Sequence, residues 1–143
     1  MNNLKLTIIM IVCVSLITIS FLSCDKDSSP TGPSGTGLVG TWQLTQMTYI
    51  TPDTSFTFNA SQLEQMGFSL KAILKSDSTY EVTEIDMEET DVETGTWSVS
   101  GNIITTVSSD NETEVVEFVL SGNKLTVTMM EEGYGFIQEF TRQ

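Results

Sequence analysis

The sequence has no histidine. That removes the commonest general base, the usual activator of a serine or cysteine nucleophile, and the most frequent zinc ligand. Its two cysteines, Cys13 and Cys24, both precede Asp25. The rest of the chain must therefore fold without a disulfide and without thiol chemistry. Cations are scarce as well: six Lys and Arg stand against nineteen Asp and Glu, for a net charge of −13. Such a field repels nucleic-acid phosphates and excludes DNA or RNA as a partner. Paired carboxylates can serve a glycosidase, but no pair stands out by spacing. The expectation is a protein that is not an enzyme and uses neither a cofactor nor a metal.

What is present begins with an apolar run. Residues 6–22 carry no charge and are apolar apart from Thr7, Ser15, Thr18 and Ser20; Lys5 precedes them. The run is close to the ~20 residues of a membrane helix, but it ends in Leu22-Ser23-Cys24 and polar sequence follows at once. A charged start, an apolar run and a small residue before the cut describe a secretory signal. The cysteine directly after the small residue resembles a bacterial lipoprotein signal, with Phe21 where that motif usually has leucine. The resemblance implies cleavage after Ser23, a diacylglycerol on Cys24 and acylation of the new amino terminus. Two or more acyl chains anchor stably, at ~0.8 kcal/mol per buried methylene. An uncleaved anchor helix with an incidental cysteine is the other reading.

Residues 25–37 contain no large apolar side chain and cannot offset their ordering entropy by burial. They read as a tether with an r.m.s. span of about 20 Å. The chain thus divides into a signal peptide (1–23), a lipidated cysteine with its flexible tether (24–37) and one domain (38–143). The expected location is a bacterial envelope membrane, the outer rather than the inner one. Asp25 beside Cys24 implies inner-membrane retention in enteric bacteria but not in other groups, so membrane and leaflet stay open.

Within the domain, strand signals follow one another closely. Trp42 and Leu44 alternate with Thr41 and Gln43, the period of a strand with one buried face. Gly40 shares that face, and Gly95-Thr96-Trp97 repeats the spelling. Further runs fall at 55–58, 68–74, 79–86, 92–99, 103–107, 114–120, 124–130 and 134–141. Asn59 or Ser61 caps a short helix that Gly67 ends. Ser100-Gly101-Asn102 and Ser121-Gly122-Asn123 supply turn residues for tight hairpins. Loops this short cannot cross over a sheet, so neighbours are antiparallel. The expected fold is all-β: a small up-and-down barrel of about eight strands with one short helix, closed by the first strand against the last.

The opening Gly40-Thr41-Trp42 strand, the Thr94-Gly95-Thr96-Trp97 strand, the two Ser-Gly-Asn hairpins and the ending Phe140-Thr141-Arg142 resemble the lipocalin-like domains of bacterial lipoproteins. The resemblance covers residues 38–142. It implies a barrel that carries a small apolar molecule, with the first-strand Trp42 stacked on Arg142 to close it. The short chain and the lack of the disulfides and long carboxy-terminal helix of true lipocalins put the cavity, rather than the barrel, in question.

Trp42, Tyr80, Trp97, Phe118, Phe136 and Phe140 are the candidate ligand-binding residues. A filled core is the competing reading, because eight strands enclose just enough space for side chains. Two functions follow: a monomeric binding module for a small apolar ligand, or an envelope interaction module that meets a protein or glycan through its outer face. Met129, Met130 and Tyr134 fit either. The acidic stretch from Glu81 to Glu93 invites a calcium reading, but its spacing is not that of an EF-hand. A solvated hairpin tip with outward-facing carboxylates is the simpler expectation.

Overall fold

A computed structural model describes residues 37–143. The expected signal peptide, Cys24 and the expected tether up to residue 36 lie outside the described residues. Short alternating runs broken by turn residues form nine antiparallel strand segments and one helix. They are β1 (Gly40–Ile50), β2 (Ser55–Asn59), α1 (Ala60–Gln65), β3 (Phe68–Leu74), β4 (Thr79–Asp86), β5 (Glu89–Ser100), β6 (Ile103–Ser108), β7 (Thr113–Ser121), β8 (Lys124–Glu131) and β9 (Tyr134–Arg142). From β3 to β9 each strand pairs with the next. β9 also pairs with β1 along its length, from Trp42 opposite Arg142 to Ile50 opposite Gly135, which closes the barrel. Closure leaves no long unpaired edge for another chain to extend.

The other edge of β1 departs from a simple meander. Its first part, residues 40–43, pairs with β3; its second, residues 46–50, pairs with β2. β2 and β3 therefore act as two pieces of one stave, so nine segments make an eight-stranded barrel. The break is α1. Asn59 accepts a hydrogen bond from the Gln62 backbone N–H at 3.1 Å, and the Gln62 side chain accepts one from the Asn59 N–H at 3.0 Å. This reciprocal cap satisfies two helix-start donors and lifts the chain out of the sheet. Leu63 points inward from the helix and is buried.

The barrel has two unlike ends. At one lie the two-residue turns Gly101-Asn102 and Gly122-Asn123, the β3–β4 turn and both ends of the domain. Gly101 and Gly122 each adopt a φ of 59°, as the first central residue of such hairpins requires. The core sits at this end, built on Leu38, Trp42, Leu74, Trp97, Phe118 and Phe140. At the other end lie α1, the Met87-Glu88 turn, the β6–β7 loop and the Glu132-Gly133 turn. Among the described residues no helix is long and apolar enough to cross a membrane.

Candidate functional site

The packed end is a plug. Trp42 is fully buried, and its indole N–H donates to the Leu38 carbonyl at 2.8 Å. Arg142 lies over the indole, its guanidinium carbon 4.3 Å from the ring centroid. The same guanidinium donates to the Val39 carbonyl at 2.7 Å and to the Gly37 carbonyl. Gly40 makes this approach possible: a Cβ there would stand 2.6 Å from Arg142 Nη1, and its φ of 150° is rare for any other residue. Trp97 repeats the device on β5, donating its indole N–H to the Lys75 carbonyl of the β3–β4 turn at 3.1 Å. Both tryptophans thus spend their polar handles on backbone at the closed end.

Above the plug the register changes. A bulge on β1 between Leu44 and Gln46 shifts its pairing with β9, with the Thr45 hydroxyl donating to the Glu139 carbonyl at 3.1 Å. A bulge exchanges the two faces of the strand that follows it. Trp42 and Leu44 face inward before it; Met47 and Tyr49 share that face after it, opposite Gln138 and Phe136. Tyr49 and Phe136 meet with ring centroids 5.1 Å apart. Phe58, Phe68, Val82, Val127 and Met129 occupy inward positions of the neighbouring strands. These side chains are only partly buried, although they face the barrel axis. Most fully buried side chains lie at the packed end; in the other half Leu63 and Leu70 are buried, while the remaining inward side chains are only partly buried.

This open half is acidic. Glu84 lies inward on β4, level with the buried Leu70. Glu93 on β5 is opposite Val82 and accepts a hydrogen bond from the Tyr80 hydroxyl. Glu114 on β7 is opposite the inward Thr106. Burial, with the charges of Asp86 and Asp91 behind it, raises the Glu84 carboxyl above its ordinary range. Burial first, then the charge of Glu93, does the same to Glu114. Burial and the bond to Glu93 push the Tyr80 hydroxyl far up. Glu114 is nonetheless exposed to solvent. Its pairing with the inward Thr106 puts it on the inner face of β7, near the exposed end of that strand.

A sequence profile described as a lipocalin-like domain matches residues 38–127, more than half of the chain. The chain belongs to the lipocalin-like domain family. Among solved structures it is similar to a lipocalin-like protein from Bacteroides uniformis, at 18% identity and a TM-score of 0.51, covering 75% of this chain and 99% of that one. An uncharacterized protein from Bacteroides eggerthii follows at 12% identity and a TM-score of 0.48, covering 73% and 98%. Fatty-acid-binding protein 1 of Echinococcus granulosus has 11% identity and a TM-score of 0.44, covering 75% and 98%. A search of curated proteins gave no match.

In this lipocalin-like barrel the six aromatic candidates separate by height. Trp42, Tyr80, Trp97, Phe118 and Phe140 are all buried in the packed end. Tyr80 reaches toward the open half through its hydroxyl, bonded to Glu93, and Phe136 lies in it, paired with Tyr49. Arg142 stacks on Trp42 where the first and last strands meet. Met47, Tyr49, Phe58 and Phe68, which the sequence does not single out, line the open half together with Met129, one of the residues that fit either a pocket rim or a partner contact. The acidic stretch corrects the expectation of outward carboxylates: Glu81 does face out, but Glu84, Asp86, Asp91 and Glu93 share the inward face of Tyr80 and Val82. Strand alternation held the signal, since these positions keep parity with Tyr80 and Trp97. Among the described residues no cluster of acidic groups has the geometry to hold a metal ion.

Proposed function

We propose that this lipocalin-like domain binds a small, mostly apolar molecule in the open half of its barrel, while a lipid on Cys24 tethers it to a bacterial envelope membrane. The observation that carries the binding reading is the set of inward apolar side chains that stay only partly buried there, with the Tyr49–Phe136 pair among them. An apolar wall around a recess with a few polar groups is the usual make-up of a small-molecule site. About 200 Å² of apolar contact gives roughly 5 kcal/mol at ~25 cal/mol per Å². Association costs several kcal/mol of this, so the expected affinity is micromolar or weaker.

The lipid reading rests on Leu22-Ser23-Cys24 ahead of the polar tether. It fits the domain's geometry, because the chain enters at the packed end. The mouth therefore lies at the end of the barrel away from the tether. Titration with the neutral dye N-phenyl-1-naphthylamine tests the binding. Dye emission should rise on saturation, whereas the tryptophans, walled off in the packed end, should change little. Absence of saturable enhancement removes this reading. The second reading, an interaction module, draws on the outer face of β7, where Val115 and Val119 are 61% and 66% exposed. A dye bound there would be insensitive to changes at Tyr49 and Phe136.

A further inference from the structure

The charge inside the open half narrows what it can hold. Inward carboxylates come from three walls: Glu84 from β4, Glu93 from β5 and Glu114 from β7, with Asp86 and Asp91 nearer the rim. No cation answers them from any wall among the described residues. Lys71 is on the outward face of β3, where its neighbours in sequence, Leu70 and Ala72, face in. Lys75 pairs with the outward Glu81 at 3.9 Å, and Lys124 pairs with the outward Glu139. Arg142 is held over Trp42 in the plug. The other half of the recess is mostly apolar, formed by Met47, Tyr49, Phe68, Met129 and Phe136, with Gln138 between them and Glu131 at the strand end. The site is thus two-sided: a partly buried aromatic and thioether wall faces carboxylates that lack a counter-ion.

Resting on the binding reading above, we propose that the open half selects apolar molecules with a cationic amine or ammonium head and rejects those with a carboxylate head. The apolar tail covers the Tyr49–Phe136 wall. The head lies on the acidic side, where Glu93 and Glu114 act on each other and Glu84 stands with Asp86 and Asp91; unlike charges attract there. The aromatic rings add a favourable surface for a cation. A carboxylate head on that side meets like charges. Protonation of Glu84 and Glu114, which their surroundings favour, would relieve but not reverse that repulsion.

The test uses one tail with three heads, below their micelle concentrations. Dodecyltrimethylammonium, dodecanol and dodecanoate compete with N-phenyl-1-naphthylamine at neutral pH on the processed protein. The ammonium should displace dye at a concentration at least about tenfold lower than dodecanoate, with dodecanol between them. In the triple variant E84Q/E93Q/E114Q that gap should collapse toward unity, while dodecanol keeps its value. A protein this acidic attracts any cation, so E81Q/E117Q/E139Q, which removes three outward charges, is the control and should keep the gap. Equal or better displacement by dodecanoate overturns the proposal. So does a gap lost equally in both variants, which would assign it to the net charge. If dodecanol displaces dye but no head preference exists, the apolar site stands and the charge selection falls. If nothing binds, both fall together.

Discussion

Arg142 does at the residue scale what a disulfide does in many small domains: it ties the last strand to the first turn of chain entering the barrel. It combines a face-on contact with Trp42 and two donated hydrogen bonds to the carbonyls of Gly37 and Val39. Trp42→Ala should cost ~3–5 kcal/mol, because a fully buried indole leaves a cavity. Arg142→Ala should cost less, about 1–3 kcal/mol, from lost charged hydrogen bonds and the ring contact. Urea unfolding of both and of the double variant should show coupling; additive losses would contradict the stack.

The inward glutamates give a second prediction at this scale. The folded barrel holds the Glu84 and Glu114 protons more tightly than the unfolded chain does. Their contribution to stability is therefore present below the ordinary glutamate value of 4.5 and is lost as pH rises through their raised values. E84Q/E114Q should gain on the native protein as pH climbs from about 4 to 7, read as the difference in urea midpoint. A difference independent of pH would contradict this. The strand pattern placed the tryptophans inside, and Gly40 before Trp42 hinted at a close backbone approach. That Arg142 would be the group approaching could not be read from spacing, because the contact joins the two ends of the domain.

Two local irregularities decide the site at the element scale, and neither has a sequence signature strong enough to read. The β1 bulge at Thr45 reverses inward parity, so straight alternation from Trp42 would send Tyr49 to the outside. The structure instead pairs it with Phe136. The helix α1 was legible as a capped turn between Asn59 and Gly67, but its effect on pairing was not, since β2 and β3 sharing one edge of β1 depends on where that helix sits. Asn59→Ala should remove half of the reciprocal cap and cost about 1 kcal/mol. Amide hydrogen exchange should rise at residues 60–66 with little change in β5 to β8. Uniform loss of protection would mean that the cap at Asn59 is coupled to the whole barrel through the buried Leu63.

For the whole molecule, most of the architecture was readable because tight turns force antiparallel neighbours and an apolar-polar period of two fixes each inner face. What was not readable was how full the interior is. Filling depends on the shear between strands and on the bulge, which set the height of each inward side chain. The result is a barrel with its plug at the end where Leu38 enters and its acidic half at the other. Under the proposed anchoring, Cys24→Ser should block lipidation and leave a protein that is either unprocessed or soluble after cleavage elsewhere. Mass spectrometry of the native amino terminus should find a lipidated Cys24, and an unmodified one would remove the anchor from the account.

The central claim is that the open half alone takes the ligand. The direct measurement is a two-dimensional NMR titration of the isotope-labelled domain with N-phenyl-1-naphthylamine. The account predicts saturable shifts at Met47, Tyr49, Phe68, Val127, Met129 and Phe136, with the indole N–H signals of Trp42 and Trp97 nearly unmoved. Shifts confined to Val92, Val115 and Val119 on the outer face, or no saturable shift at all, would contradict it.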